Sequence, residues 1–213
     1  VYDVMSLVFT HLFNCLFVCF TVSRSSLSFF LSFFLSSRDA WWSMLQSKLL
    51  IRPGTLAERP QVAAVTRQAY ADYASTSDPE FWQQYQDSTE QTLLYDDTVL
   101  RLVALCGDEI VGTVLLCPPY QMSMGDTVVT NPYPEMRLLA VLPGHRDSGI
   151  GAQIINDCER RTRDDGYSAI TLHTTVLMQT AKAMYERRGY VRYPEIDFEP
   201  VPGFVVWGYI KQL

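Results

Sequence analysis

Between Glu135 and Gly151 the chain reads Glu-Met-Arg-Leu-Leu-Ala-Val-Leu-Pro-Gly-His-Arg-Asp-Ser-Gly-Ile-Gly, an apolar β-like run that ends in a glycine-punctuated turn and leads into a helical pattern. Such a turn can hold an anion. Gly149 and Gly151 remove two Cβ atoms where the backbone must approach a ligand. The helix that follows presents its unbonded first-turn N–H groups and the positive end of its dipole to that ligand. A pyrophosphate suits this cradle, which comprises Arg146, Asp147, Ser148, Gly149, Ile150, Gly151 and Ala152. A glycine pair before a helix also serves turn geometry alone, so spacing elsewhere decides.

Arg146-x-x-Gly149-x-Gly151 matches the Q/R-x-x-G-x-G/A motif of the GNAT N-acetyltransferases. That family's second landmark, Ala-x-x-x-Tyr-x-x-x-Gly-aromatic, recurs downstream as Ala181-Lys-Ala-Met-Tyr185-Glu-Arg-Arg-Gly189-Tyr190. From about residue 48 to 213 the chain resembles this superfamily, and Leu49-Leu-Ile-Arg-Pro53 is similar to its first strand. The resemblance implies acetyl-CoA as acetyl donor, no metal, and direct transfer to a primary amine of a small molecule or peptide. It places the backbone of Leu139, Ala140 and Val141 against the cofactor, with the Leu139 N–H facing the thioester carbonyl. Tyr185 takes the position of the family's tyrosine, which protonates the departing thiolate; its alternative is a ring packed in the core. Glu135, eleven residues before Arg146, falls where histone-type members hold a general base; its alternative is an ordinary strand-start glutamate. His173 is a reserve base or a hydrogen-bonded core residue.

Three positions depart from the family pattern. Asp147 puts a negative charge beside a pyrophosphate where many relatives have glycine, Met178 replaces an asparagine that contacts the cofactor arm, and Tyr190 replaces phenylalanine. The first two keep open a second reading, a non-catalytic acyl-CoA-binding sensor of the same fold. Phe81, Trp82, Tyr85, Tyr120 and Tyr133 are equally suited to line an acceptor groove or to pack a core.

The 213 residues, 48% of them hydrophobic, suffice for one packed domain. The net charge of −6 lies wholly after residue 47, since the preceding segment balances Asp3 and Asp39 against Arg24 and Arg38. An acidic body argues against nucleic acid and favours a cationic acceptor. Five cysteines form no C-x-x-C pair and no cluster with histidine, so neither a disulfide framework nor a zinc site is indicated, and a reducing, cytoplasmic setting fits. The absence of a Cys-His or Ser-His-Asp arrangement favours direct transfer over an acyl-enzyme. A homodimer is compatible with this composition.

Residues 1–47 follow a different pattern. Residues 5–22 are mostly apolar, though they include His11 and Asn14, and the chain then repeats Leu, Ser and Phe in low complexity, as translation of a pyrimidine-rich tract would. The first fifteen residues hold no Lys or Arg, and no small-x-small cleavage site precedes the body. We expect a native start near Met44, with a genuine hydrophobic extension as the alternative; membrane association is expected only in that second case.

The elements that must position the site follow from periodicity. Leu49 to Arg52 reads as a strand, and a Thr55-x-x-Glu58 capping box opens a helix to about Tyr73. Asp78-Pro79 starts a second helix, and Val99–Leu105 with Ile110–Cys117 reads as a hairpin across Gly107-Asp108. A strand over 135–142, a helix over 149–165, a strand over 169–174, a helix over 180–188 ending at Gly189, and a strand over 205–211 complete the chain. The expected fold is α/β (α+β): a mixed sheet of six to seven strands, splayed between the strands at 135–142 and 169–174 as the resemblance implies, with about four helices.

Overall fold

The computed structural model describes residues 49–76, 78–124, 127–201 and 203–213. The expectations for residues 1–47 lie outside the described residues.

Strand β1 (Leu50–Pro53) is followed by helices α1 (Arg59–Tyr70) and α2 (Pro79–Tyr95) and a hairpin of β2 (Leu100–Cys106) and β3 (Glu109–Cys117). A second hairpin, β4 (Tyr120–Met124) with β5 (Thr127–Asn131), precedes β6 (Glu135–Val141), α3 (Ile150–Asp164), β7 (Ala169–Thr174) and α4 (Gln179–Arg187). Three strands close the chain: β8 (Val191–Arg192), β9 (Phe198–Val201) and β10 (Phe204–Gln212). The main sheet runs β1-β2-β3-β6-β7-β10-β8, with β9 on β10 and β4-β5 as a separate ribbon. Only β6 and β7 pair in parallel among these neighbours.

The central strands are apolar without alternation because both of their faces are covered. On one face Leu102, Val114, Met136 and Leu172 meet Ile154, Ile155 and Cys158 of α3 and Tyr185 of α4. On the other, Val103, Leu105 and Leu115 meet Val62 and Val65 of α1 and Leu93 of α2. Each buried aliphatic side chain contributes about 1.5–3 kcal/mol. Gly112 lets α3 descend onto the sheet, since a Cβ there would lie 3.0 Å from Ile154 Cδ1 and 3.1 Å from the Ala140 carbonyl.

Helix ends are fixed by particular residues. The Asp78 carboxylate accepts from the amides of Glu80 and Phe81, both at 3.0 Å, at the start of α2. Buried Arg101 closes the other end of that helix, donating to the carbonyls of Leu93, Thr92 and Asp96 at 2.8, 2.7 and 2.5 Å. After α4, Gly189 at φ +86° allows the Tyr190 amide to reach back to the Tyr185 carbonyl at 3.1 Å.

Three expectations are revised. The Thr55–Glu58 box caps a single 3-10 turn, Leu56–Glu58, ahead of α1. Helix α1 stops at Tyr70 and tightens into a 3-10 segment, Ala71–Thr76, where the Ser75 hydroxyl donates to the Asp72 carbonyl. The β4-β5 ribbon and strands β8 and β9 add to the expected order. The ribbon escapes a periodicity test because its exposed side chains are mixed, with only Val129 and Asn131 buried. Among the described residues no helix is long and apolar enough to cross a membrane.

Candidate active site

The site begins where two parallel strands part. Strand β6 pairs with β7 at Glu135↔Thr171 and Met136↔Leu172 only, and from Arg137 onward it follows β3 alone. Opposite β3, Leu115↔Arg137 and Thr113↔Ala140 bracket a register shift in which Leu138 and Leu139 together face Val114. Leu138 takes φ +53°, a left-handed conformation that a leucine adopts only where packing imposes it. Its side chain packs with the core on the α1/α2 side, while Leu139 packs with the core on the α3/α4 side. The hydroxyl of Tyr70, at the end of α1, donates to the Leu139 carbonyl at 3.2 Å and so holds the bulged backbone.

Beyond Val141 a 3-10 turn, Pro143–His145, carries the chain into the glycine-rich segment. Asp147 (φ +60°) and Gly149 (φ +83°) are both left-handed, and Gly149 caps α3. A Cβ at Gly149 would meet nothing within 4 Å, and one at Gly151 would meet only Val141 Cγ2 at 3.8 Å. The first bond into the helix is donated by Gln153 to the Gly149 carbonyl at 3.1 Å, so the amides of Ile150, Gly151 and Ala152 precede it. Leu139, Ala140 and Val141 thus lead, through the Pro143–His145 turn, to residues 147 to 152 at the N-terminus of α3. Arg146 turns elsewhere: its guanidinium donates to the Ala69 carbonyl at 2.7 Å and to Asp72 at 2.9 Å, tying the turn to the end of α1.

Tyr185 sits 8% exposed on α4, its ring edge-on to Tyr190 at 5.8 Å. Burial raises its pKa strongly, with Tyr73 and Cys158 adding to the effect. Burial likewise raises Tyr70, with Tyr85, Tyr185 and Tyr73 as its charged-state neighbours. Tyr185, from the α3/α4 layer, and Tyr70 and Tyr73, from the α1 side, are therefore electrostatic neighbours where the sheet is parted.

Glu135 is 1% exposed, and its carboxylate accepts from Arg137 Nε at 2.5 Å and Asn131 Nδ2 at 3.2 Å. His173 Nδ1 lies 3.1 Å from the same carboxylate, and His173 Nε2 lies 2.8 Å from the Ile196 carbonyl, so both ring nitrogens face acceptors. Burial raises the Glu135 pKa, but His173 and Arg137 outweigh it and hold the group at about 2. A carboxylate in that state is a weak proton acceptor at neutral pH. Asn131 also donates to Thr171 Oγ1 at 2.7 Å, so the β4-β5 ribbon is stitched to the base of the parallel pair. Buried Cys117 is pushed up to about 12 by desolvation and is an unreactive thiol.

The sequence pattern of the Acetyltransferase (GNAT) family matches residues 66–190, more than half of the chain. The chain belongs to the GNAT family. A curated relative, "Probable N-acetyltransferase family 8 member 5" of Mus musculus, is 34% identical over 100 residues, covering 45% of this chain and 41% of that protein. The match thus spans less than half of the relative's length. Among solved structures, the histone acetyltransferase HPA2 and related acetyltransferase from Corynebacterium glutamicum is similar at a TM-score of 0.58 and 19% identity, over 77% of this chain and 96% of that one. The PaiA N-acetyltransferase from Thermoplasma acidophilum, solved in complex with coenzyme A, is similar at a TM-score of 0.59 and 14% identity, over 78% and 99%. At these identities the likeness speaks for the fold.

In this GNAT domain the motif residues Gly149, Gly151 and Tyr185 lie on the elements that flank the parted strands. Arg137, Asn131 and Tyr70 join the site without a motif to announce them. Arg137 could have been noticed from its place two residues after Glu135, where strand alternation puts both on one face.

Proposed function

We propose that the GNAT domain transfers an acetyl group from acetyl-CoA directly to a primary amine of a small molecule or peptide. The observation that carries this is the Leu138–Leu139 bulge in β6 leading, through one 3-10 turn, to an N-terminus of α3 whose first amides precede the first helical bond and whose Gly149 has open space beside it. The amides of Ile150, Gly151 and Ala152, with Asp147, Ser148 and Gly149 shaping the turn, hold the pyrophosphate. The left-handed Gly149 leaves the space a side chain would fill. Arg146 acts by fixing the turn to α1 through Ala69 and Asp72 and adds positive charge near the phosphates. The backbone of Leu139, Ala140 and Val141 lies along the acyl arm, and the Leu139 N–H stabilises the oxyanion of the tetrahedral intermediate. Acetyl-CoA supplies the activated acyl group.

Tyr185 donates its proton to the departing thiolate, and its raised pKa keeps that proton in place at neutral pH. Glu135 serves the site by orienting Arg137 and His173 rather than by taking the amine's proton. The amine arrives neutral, having released one proton to water, and the proton it loses as the amide forms passes through water to the Tyr185 phenolate, which restores the phenol. Release of CoA thiol by the full chain, assayed across a panel of primary amines with wild type and Tyr185→Phe, tests this. Transfer predicts amine-dependent release that the variant largely loses. Binding of acetyl-CoA with no release for any amine would favour the sensor reading instead.

A further inference from the structure

Arg137 is half-exposed on the sheet face that carries α1 and α2, and it is held on two sides. Its Nε donates to buried Glu135 at 2.5 Å, and its guanidinium carbon lies 4.7 Å above the ring of Tyr120. These contacts fix the plane of the guanidinium and leave its two terminal nitrogens without a hydrogen-bond partner among the described residues. The other arginines of the inner structure are committed differently: Arg101 to the carbonyls that end α2, and Arg146 to Ala69 and Asp72. The Tyr120 hydroxyl next to this pair is buried and interacts with both Glu135 and Arg137. Glu135 also accepts from Asn131 and lies 3.1 Å from His173 Nδ1, and 38% of the Arg137 side chain stays accessible. Arg137 stands one residue before the bulge, roughly 7 Å along the strand from Leu139.

We infer that Arg137 is a specificity-determining residue that binds a carboxylate on the acceptor through its terminal nitrogens, so that the preferred substrates are amines bearing a nearby carboxylate. The planar pair of terminal N–H groups matches a carboxylate bidentately. This inference rests on the acetyl-transfer reading. Amines that share one ring and differ only at the carboxylate are the natural probes.

The test compares L-phenylalanine, L-phenylalaninamide and 2-phenylethylamine as acceptors for the full chain, using wild type and Arg137→Lys. The lysine keeps a cation on Glu135 and removes the fork, and a thermal unfolding curve checks that it folds. Wild type is expected to favour phenylalanine over the other two by at least tenfold in kcat/KM, mostly through KM. Arg137→Lys is expected to shrink that preference by about tenfold. An absent preference, an equal loss on all three acceptors, or no acceptance of phenylalanine by a protein that binds acetyl-CoA overturns the inference. Absence of both acetyl-CoA binding and thiol release removes the reading beneath it, which is a separate and recognisable outcome.

Discussion

Tyr185 packs its ring in the core, and the proposed role of its hydroxyl in the reaction separates from that packing on substitution. Tyr185→Phe keeps the ring against Tyr190 and removes the proton. The expected result is a kcat at least 100-fold lower, with stability within about 1 kcal/mol of wild type, read from steady-state kinetics and chemical unfolding. Glu135 makes a prediction of opposite kind. Its folded pKa of about 2 lies below the ordinary 4.5, so its contribution is fully present above the unfolded value and is lost as pH falls through the folded one. It therefore adds ~3 kcal/mol at neutral pH that disappears between about pH 5 and pH 2. Glu135→Gln should lower stability at pH 7 by about 3 kcal/mol and flatten this acid limb relative to wild type, as followed by urea unfolding across that range. A parallel acid limb in the variant would contradict the assignment. Tyr185 and Glu135 were both legible as positions, through spacing from a glycine motif. The partners that determine what Glu135 does were not, because Asn131 and His173 are brought to it by strand pairing rather than by sequence proximity.

The turn into α3 and the bulge in β6 are the elements on which the site depends. Both non-glycine residues with positive φ among the described residues, Leu138 and Asp147, belong to them. The departure at Asp147 thereby acquires a physical reason. The position is left-handed, glycine is the easy occupant, and aspartate is among the few side chains that tolerate it. Asp147→Gly should leave the fold as stable or raise stability by up to ~1 kcal/mol. It should also tighten acetyl-CoA binding severalfold at low ionic strength and less at high salt, as measured by calorimetric titration at two salt concentrations. Salt-independent or weaker binding would contradict a phosphate site at this turn. The helices and long strands were legible because caps and apolar runs are local signals, as at Asp78 and in β2 and β3. The bulge was not legible from side chains: Leu138 and Leu139 look like ordinary strand residues, and only the resemblance to a family placed a donor there. The β4-β5 ribbon was missed although Gly125-Asp126 sits between its strands, because its mostly polar side chains carry no clear alternation.

For the whole molecule, periodicity made the main strands and helices legible and the family resemblance the parted sheet, while net charge was informative only on a large scale. An overall charge of −6 pointed to a cationic acceptor, yet the parted strands set the Arg137 guanidinium beside a single buried carboxylate. Local chemistry decides what a site binds, and a sum over a surface does not resolve it. Strands β6 and β7 pair at two positions only, and phenols of α1 and α4, Tyr70 and Tyr185, are electrostatic neighbours across the sheet. Amide hydrogen exchange of the full chain, with and without saturating acetyl-CoA, tests the site most directly. Slowed exchange concentrated at Leu138–Ala140 and Asp147–Ala152 is the expected result. Unchanged exchange across those two segments, or protection confined to the groove between α1 and α2, would contradict it.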